Sequence, residues 1–200
     1  MHRFGKLALV ALLALPAAEA VAQETGTPVF LAPYRAFENH EVGVAISDPG
    51  DDSWAIEGNY RFGWGAHDLG LRGGFIDVGN ETGLLLGGSF RTRVITHSRD
   101  FPLDGALTAG VGLQLIDDFT GGLIPVGLSL GRRFEAENSS VSFVPYAHPV
   151  LALAFGDNDE DLIFGLGLGV DVRVTESLDI RVAGALFDYE GISIGLSWVR

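Results

Sequence analysis

The sequence predicts an all-β fold, an up-and-down antiparallel β-barrel of about ten strands set in lipid. Three observations lead there. From about His40 to the last residue, apolar and non-apolar positions alternate in ten successive stretches. The parity opposite the apolar one is rich in Gly, Ala, Ser and Arg rather than Lys and Glu, which suits a crowded lumen and not a water-facing surface. No later segment offers about twenty consecutive apolar residues free of charge and glycine, so any crossing has to be made by strands. The clearest stretch is 162–174. Leu162, Phe164, Leu166, Leu168, Val170, Val172 and Val174 share one face, and Gly165, Gly167, Gly169, Asp171 and Arg173 share the other.

At the N-terminus, Arg3 and Lys6 precede the apolar run 7–15, and Ala20-Val21-Ala22 forms a small-residue cleavage site before Gln23. Residues 1–22 therefore read as a signal peptide for Sec export, too short in its apolar core to persist as a membrane helix. Residues 23–39 carry Pro28, Pro33 and the aromatics Phe30, Tyr34 and Phe37, and fit neither a helix nor a full strand. This segment either leads into the barrel or plugs its inner mouth. The barrel itself occupies 40–200.

Candidate strands follow at 41–47, 53–64, 67–77, 82–95, 103–115, 123–134, 141–155, 162–174, 177–188 and 191–199. Each is about long enough to cross a bilayer at a tilt. With a periplasmic N-terminus, the inner connections fall at 65–66, 96–102, 135–140 and 175–176. The outer ones collect Asp48, Asp51, Asp52, Asp77, Glu81, Asp117, Asp118, Asp157, Asp159, Glu160, Asp161, Asp188 and Glu190 without one basic residue, so one rim is strongly acidic. Aromatic residues of the outward parity gather near strand ends. Trp54, Phe75, Phe155 and Phe164 lie toward the acidic rim, and Trp64, Phe134, Phe143 and Trp198 toward the other, as two interfacial belts. Pro125, Pro145 and Pro149 fall inside strands, where each removes a ladder hydrogen bond, so bulges or shortened strands are expected there. Val144 and Val150 compete with Phe143 and Leu151 for the lipid side.

Composition narrows the function. No cysteine is present, which excludes disulfides and thiol chemistry. The formal charge of −13 becomes −14 once Arg3, Lys6 and Glu19 leave with the signal peptide, which disfavours nucleic acid as a partner. The inward parity places Glu57, Arg61, Asp68, Arg72, Arg91, Arg93, Asp104, Arg133, Asp171, Arg173, Asp179 and Arg181 in the lumen. Mixed signs there predict carboxylates and guanidiniums paired with one another. Against that stands a narrow pore: Arg91 and Arg93, with Arg61 and Arg72 nearby, could bias conduction toward anions, and lumen glycines such as Gly110, Gly112, Gly165 and Gly167 leave space. The acids at 157–161 lack the glycine and distal glutamate spacing of an EF-hand, so no metal is expected. His148 is the one strand-interior histidine with candidate partners. Without a Gly-x-Ser-x-Gly elbow it reads as a lumen histidine bonded to a polar neighbour, and neither catalysis nor a cofactor is expected.

The C-terminal third, with Val144-Pro145-Tyr146, the alternation 165–174, the turn Thr175 to Leu178 and the ending Ile194-Gly195-Leu196-Ser197-Trp198, resembles the small outer-membrane β-barrel proteins. That group includes OmpX, the opacity proteins and the membrane domain of OmpA. Its members are usually eight-stranded, so eight stands beside ten as the strand count. The resemblance implies residence in the outer membrane of a diderm bacterium, contact with its lipids, and Ile192, Ile194, Leu196 and Trp198 as the terminal signal for the barrel-assembly machinery. The expected role is structural or surface-interacting, with the extracellular partner unidentified. A small passive channel is the alternative and a lipid-modifying enzyme a remote one.

Overall fold

A computed structural model describes residues 24–200 except 51, 80, 118, 138, 140, 157 and 158. The expected signal peptide lies outside the described residues, as do Asp51, Asp118 and Asp157 of the acidic rim.

Eleven strands form one antiparallel sheet: β1 (His40–Gly50), β2 (Ser53–Trp64), β3 (His67–Val78), β4 (Glu81–Ile95), β5 (Asp104–Ile116), β6 (Phe119–Gly131), β7 (Phe134–Glu135), β8 (Ser142–Gly156), β9 (Asp159–Arg173), β10 (Leu178–Phe187) and β11 (Ile192–Val199). Each long strand pairs with its chain neighbours, β1 pairs with β11, and β6 pairs with β8. These pairings close a ten-strand barrel and abolish both sheet edges. The two-residue β7 is a flap on β8 (Phe134↔Phe143, Glu135↔Ser142) and takes no part in closure.

Alternation sets the register. In β2, Trp54, Ile56, Tyr60, Phe62 and Trp64 are exposed while Ala55, Glu57, Arg61 and Gly63 are buried. A one-residue slip would invert every such assignment. A twelve-residue strand is ~40 Å long, and a ~40° tilt brings its span to ~30 Å, the thickness of a hydrocarbon core. The competition in β8 resolves with Val144 and Val150 inside and Phe143 and Leu151 outside.

The sixth strand departs from the expected 123–134 at both ends. It begins at Phe119, paired with Ile116 of β5, and outward-facing Gly122 lies under the Phe155 ring, which a Cβ there would overlap. It ends at Gly131, so Phe134 reaches the inner belt through β7, stacked on Phe143 at 5.4 Å. The prolines open gaps in the ladder and leave its register unshifted. Pairing between β5 and β6 skips from Ala109↔Val126 to Gly112↔Leu123 around Pro125, and between β6 and β8 from Gly127↔Val150 to Leu130↔Ala147 around Pro149. Pro145 falls one residue beyond the last β6–β8 pair, Gly131↔Tyr146, where its missing N–H costs that ladder nothing.

Strands run past the outer belt into the acidic rim, leaving links of two residues at 51–52, 79–80 and 117–118. Asp52, Asp117 and Gly79 have positive φ, as tight hairpins between right-twisted strands require. The β10–β11 link turns on Gly191 at φ +106°, where a Cβ would overlap the Asp48 carbonyl. Gly191→Ala is expected to cost about 1–3 kcal/mol. Urea unfolding in detergent micelles, followed by tryptophan fluorescence, measures it.

Candidate functional site

Among the described residues, the lumen is the concave region lined by converging charged groups, and residues 24–37 fill it. Residues 24–37 descend through the barrel without regular secondary structure, and Glu24, Thr25, Thr27, Phe30, Leu31, Ala32 and Phe37 are buried. Five consecutive carbonyls of this segment each accept from a different strand. Pro28 O takes the Ser193 hydroxyl (2.7 Å), Val29 O the Arg72 guanidinium (3.4 Å) and Phe30 O the Tyr146 hydroxyl (3.2 Å). Leu31 O takes the Ser129 hydroxyl (2.6 Å) and Ala32 O Arg91 Nη1 (2.6 Å). A chain without ladder partners thus meets its hydrogen-bond requirement from wall side chains. Above these, the Thr25 and Thr27 hydroxyls donate to the two Glu57 oxygens (2.6 and 2.5 Å) and Gln114 donates to Thr25 O (2.8 Å). Below them, Tyr34 donates to Asp104, and Arg173 Nη2 reaches Ala36 O (3.2 Å).

The lumen glycines are the trough in which this segment lies. A Cβ at Gly112 would overlap the Glu24 carbonyl, and one at Gly167 the Phe30 ring. The cavities beside the segment are about 20 Å³ between Val29, Leu31, Ala45 and Tyr146, and about 10 Å³ by Thr108 and Pro125, each room for about one water.

Mixed charges pair in the lower half of the wall. Asp68 sits directly across the ladder from Arg91 and accepts from both Arg61 Nε (2.9 Å) and Arg91 Nε (2.8 Å). Arg61 also donates to Ser89 (2.9 Å). Arg181 holds Glu41 in a bidentate pair (2.6 and 2.8 Å), and its Nε lies 3.4 Å from Asp171 without hydrogen-bond geometry. Arg173 pairs with Asp179 across the β9–β10 ladder. Such pairs hold buried charges whose removal from water is otherwise costly.

The remaining sequence-predicted residues are placed as follows. His148 is fully buried, with Nε2 2.8 Å from the Thr108 hydroxyl and its ring edge-on to Phe30 at 5.7 Å. Asp104 is buried and engages the His97 imidazole (2.7 Å) as well as Tyr34. Arg93 and Arg133 are exposed at the inner mouth, with their guanidinium carbons 6.0 and 5.0 Å from the Tyr34 ring centre, a cation–π arrangement. Glu57 and Arg72 have no ion-pair partner among the described residues; the N-terminal segment takes their hydrogen bonds.

Outside, Trp54, Trp64, Phe75, Phe134, Phe143 and Trp198 are exposed, and Phe155 and Phe164 half-buried, at the two ends expected of belts. Sequence reasoning missed an aromatic arc on the inner rim. His40 stacks on Tyr60, Phe62 on Trp64 and His67 on Phe90, joined by tilted contacts of His40 with Phe62 and Trp64 with His67. The outward parity of Tyr60, Phe62 and Phe90 was the available signal. Toward the other end, Asp48, Asp52, Glu81, Asp117, Glu160, Asp161 and Glu190 are exposed.

Fold and lumen together define a class: a closed antiparallel β-barrel, apolar outside and polar but filled within. Similar solved structures include a bacterial polysaccharide outer membrane secretin, at 9% identity and TM-score 0.49. The match covers 81% of this chain and 65% of that one, less than two thirds of its length. The β domain of the Bordetella autotransporter Brka is similar at 16% identity and TM-score 0.43, over 80% of this chain and 98% of that one. No protein-family model matches the chain, and no curated protein matches it. Neither structural likeness bears on activity.

Proposed function

We propose that the chain is an integral outer-membrane β-barrel of a diderm bacterium with a non-enzymatic, structural or surface-interaction role, closed to passive solute flow. The observation that carries this reading is the filled lumen, whose wall donors are spent on the carbonyls of residues 28–32. Arg91, the centre of an anion-biased pore on sequence grounds, is tied to Asp68 and Ala32 O. Arg93 sits at the mouth beside Tyr34.

The outer face supports the membrane part of this reading. Leu71, Ile192, Leu162 and Phe75 belong to an apolar band far larger than soluble monomers expose, and charges are confined to its two rims. Lipids contact that band, and Ile192, Ile194, Leu196 and Trp198 serve as the signal read by the barrel-assembly machinery. The acidic rim faces outward toward any extracellular partner, and the net charge argues against nucleic acid.

Single-channel recording in planar bilayers tests the reading, once a heat-modifiability gel has confirmed the folded barrel. The unmodified protein is expected to be silent. Discrete steps reduced by Arg91→Ala or Arg93→Ala would overturn occlusion in favour of an anion-biased channel.

A further inference from the structure

The wall groups facing the lumen depend on residues 24–37 to different degrees. Asp68 with Arg61 and Arg91, Asp179 with Arg173, and Glu41 with Arg181 satisfy one another across the sheet whether or not the segment is present. Glu57, Arg72, Gln114, Ser129 and Ser193 do not. Among the described residues, their side-chain hydrogen bonds run to the segment alone: to Thr25 and Thr27, Val29 O, Thr25 O, Leu31 O and Pro28 O respectively.

That division bears on whether the segment is a permanent core element. Apolar burial holds Phe30 and Ala32 against Val144, Tyr146, Val150, Ile163 and Tyr189, on the β8–β10 side of the lumen; the rest of the wall that faces the segment is polar. Here the groups that would be uncovered include a carboxylate, a guanidinium, an amide and two hydroxyls, each of which water satisfies. The bonds that would break are mostly side-chain donors on backbone carbonyls, which exchange for water at small net cost. The wall glycines supply the clearance. With the segment absent, Gly87, Gly110, Gly112 and Gly167 present bare backbone where Glu24, Thr25 and Phe30 had been. The ion pairs that join β2 to β3 and β4, β9 to β10, and β1 to β10 would remain to hold the wall.

We infer that residues 24–37 are a removable plug, and that their withdrawal turns the lumen into a water-filled passage lined by Glu57, Arg72, Gln114, Ser129 and Ser193. The inference rests on the occluded-barrel reading and extends it. The shut state is the one described, and the open state has the same barrel with hydrated walls.

Two independent variants test it, one altering the wall and one the segment. Gly112→Ala with Gly167→Ala puts methyl groups where the Glu24 carbonyl and Phe30 ring lie. Phe30→Ala with Tyr34→Ala removes the ring from its trough and the anchor on Asp104, and touches no barrel strand. Gly73→Ala is the control, on the lipid face, where the added Cβ makes only ordinary contacts with Leu86 (3.4 Å) and the Leu85 carbonyl (3.5 Å). Because the natural chain has no cysteine, Ala32→Cys in each background places a single thiol at a buried plug position.

In the unmodified and control backgrounds the thiol is expected to stay unlabelled by a membrane-impermeant maleimide, and the bilayers to stay silent. In both plug variants the thiol labels fully and discrete current steps appear. Heat-modifiable variants in which either signal is missing overturn the plug and leave the occluded barrel standing. Current through the unmodified protein fails the occlusion reading itself, before any variant is compared. Should the wall variant not fold, the segment variant decides alone.

Discussion

Asp68→Ala is expected to lower folding stability by about 3–5 kcal/mol, the cost of leaving a buried charge without its partner. Among the described residues this carboxylate is the one that both Arg61 and Arg91 hydrogen-bond, and the side chains of all three are nearly inaccessible to water. Removing it leaves two guanidiniums, on β2 and β4 at either side of β3, facing each other across an empty site, so repulsion adds to desolvation. Arg61 keeps its bond to Ser89, and Arg91 keeps Ala32 O, but neither acceptor carries charge. Urea titration in micelles, read by tryptophan fluorescence and by mobility of the unheated protein, should show an earlier midpoint at an unchanged slope. Replacing the trio together, with Asp68→Leu, Arg61→Met and Arg91→Met, should recover much of the loss, since an apolar set of similar volume leaves no charge stranded. A single Asp68→Ala change costing less than about 1 kcal/mol would mean that water reaches the trio and that the lumen is wetter than its packing indicates.

Much of this fold is legible because a closed barrel that is apolar outside and polar inside obeys a strict period. In β2 the inward Glu57, Asn59 and Arg61 contrast with the outward Trp54, Ile56, Tyr60, Phe62 and Trp64, and strand number and parity follow from such contrasts. Failures occur where the period is silent. Glycines at 121 and 122 carry no hydropathy signal, so the true start of β6 is invisible in the sequence. His67 reads as an exposed histidine beside a turn until its stacking on Phe90 is seen.

The lumen was harder to read, for a different reason. Charge pairing is inferable from parity, because Asp68 and Arg91, Asp171 and Arg181, and Asp179 and Arg173 face each other directly once the register is known. The plug is not. Residues 28–32 are held largely through their carbonyls, which every residue has, and of their side chains the Phe30 ring, packed on Gly167, His148 and Tyr189, is the one aromatic signature. The hint lay in the wall. Inward positions as small as Gly87, Gly110, Gly112 and Gly167 leave room that either water or a chain must fill, and sequence alone does not say which.

Leu71→Arg is the second large effect expected, about 2–4 kcal/mol of destabilisation in a bilayer or bilayer-like micelle. Leu71 lies midway along β3 with 68% of its surface exposed, between the Trp64 end and the Phe75 end of the outer face. An arginine there would put its charge near the centre of the hydrocarbon, too far from either rim for the side chain to reach headgroups without thinning the lipid. The depth dependence makes the test specific. Asp77→Arg has the same outward parity on the same strand but sits beside the acidic rim, where the cost falls to about 0–1 kcal/mol and attraction to Glu81 and its neighbours offsets it. A barrel whose outer face met water would tolerate both changes equally, since a single exposed leucine replaced by arginine on a soluble surface shifts stability by about 0.5 kcal/mol or less. Equal midpoints for the two variants in urea titrations from lipid vesicles would therefore remove the membrane from the account, whereas a gap of about 2 kcal/mol or more places the girdle in hydrocarbon.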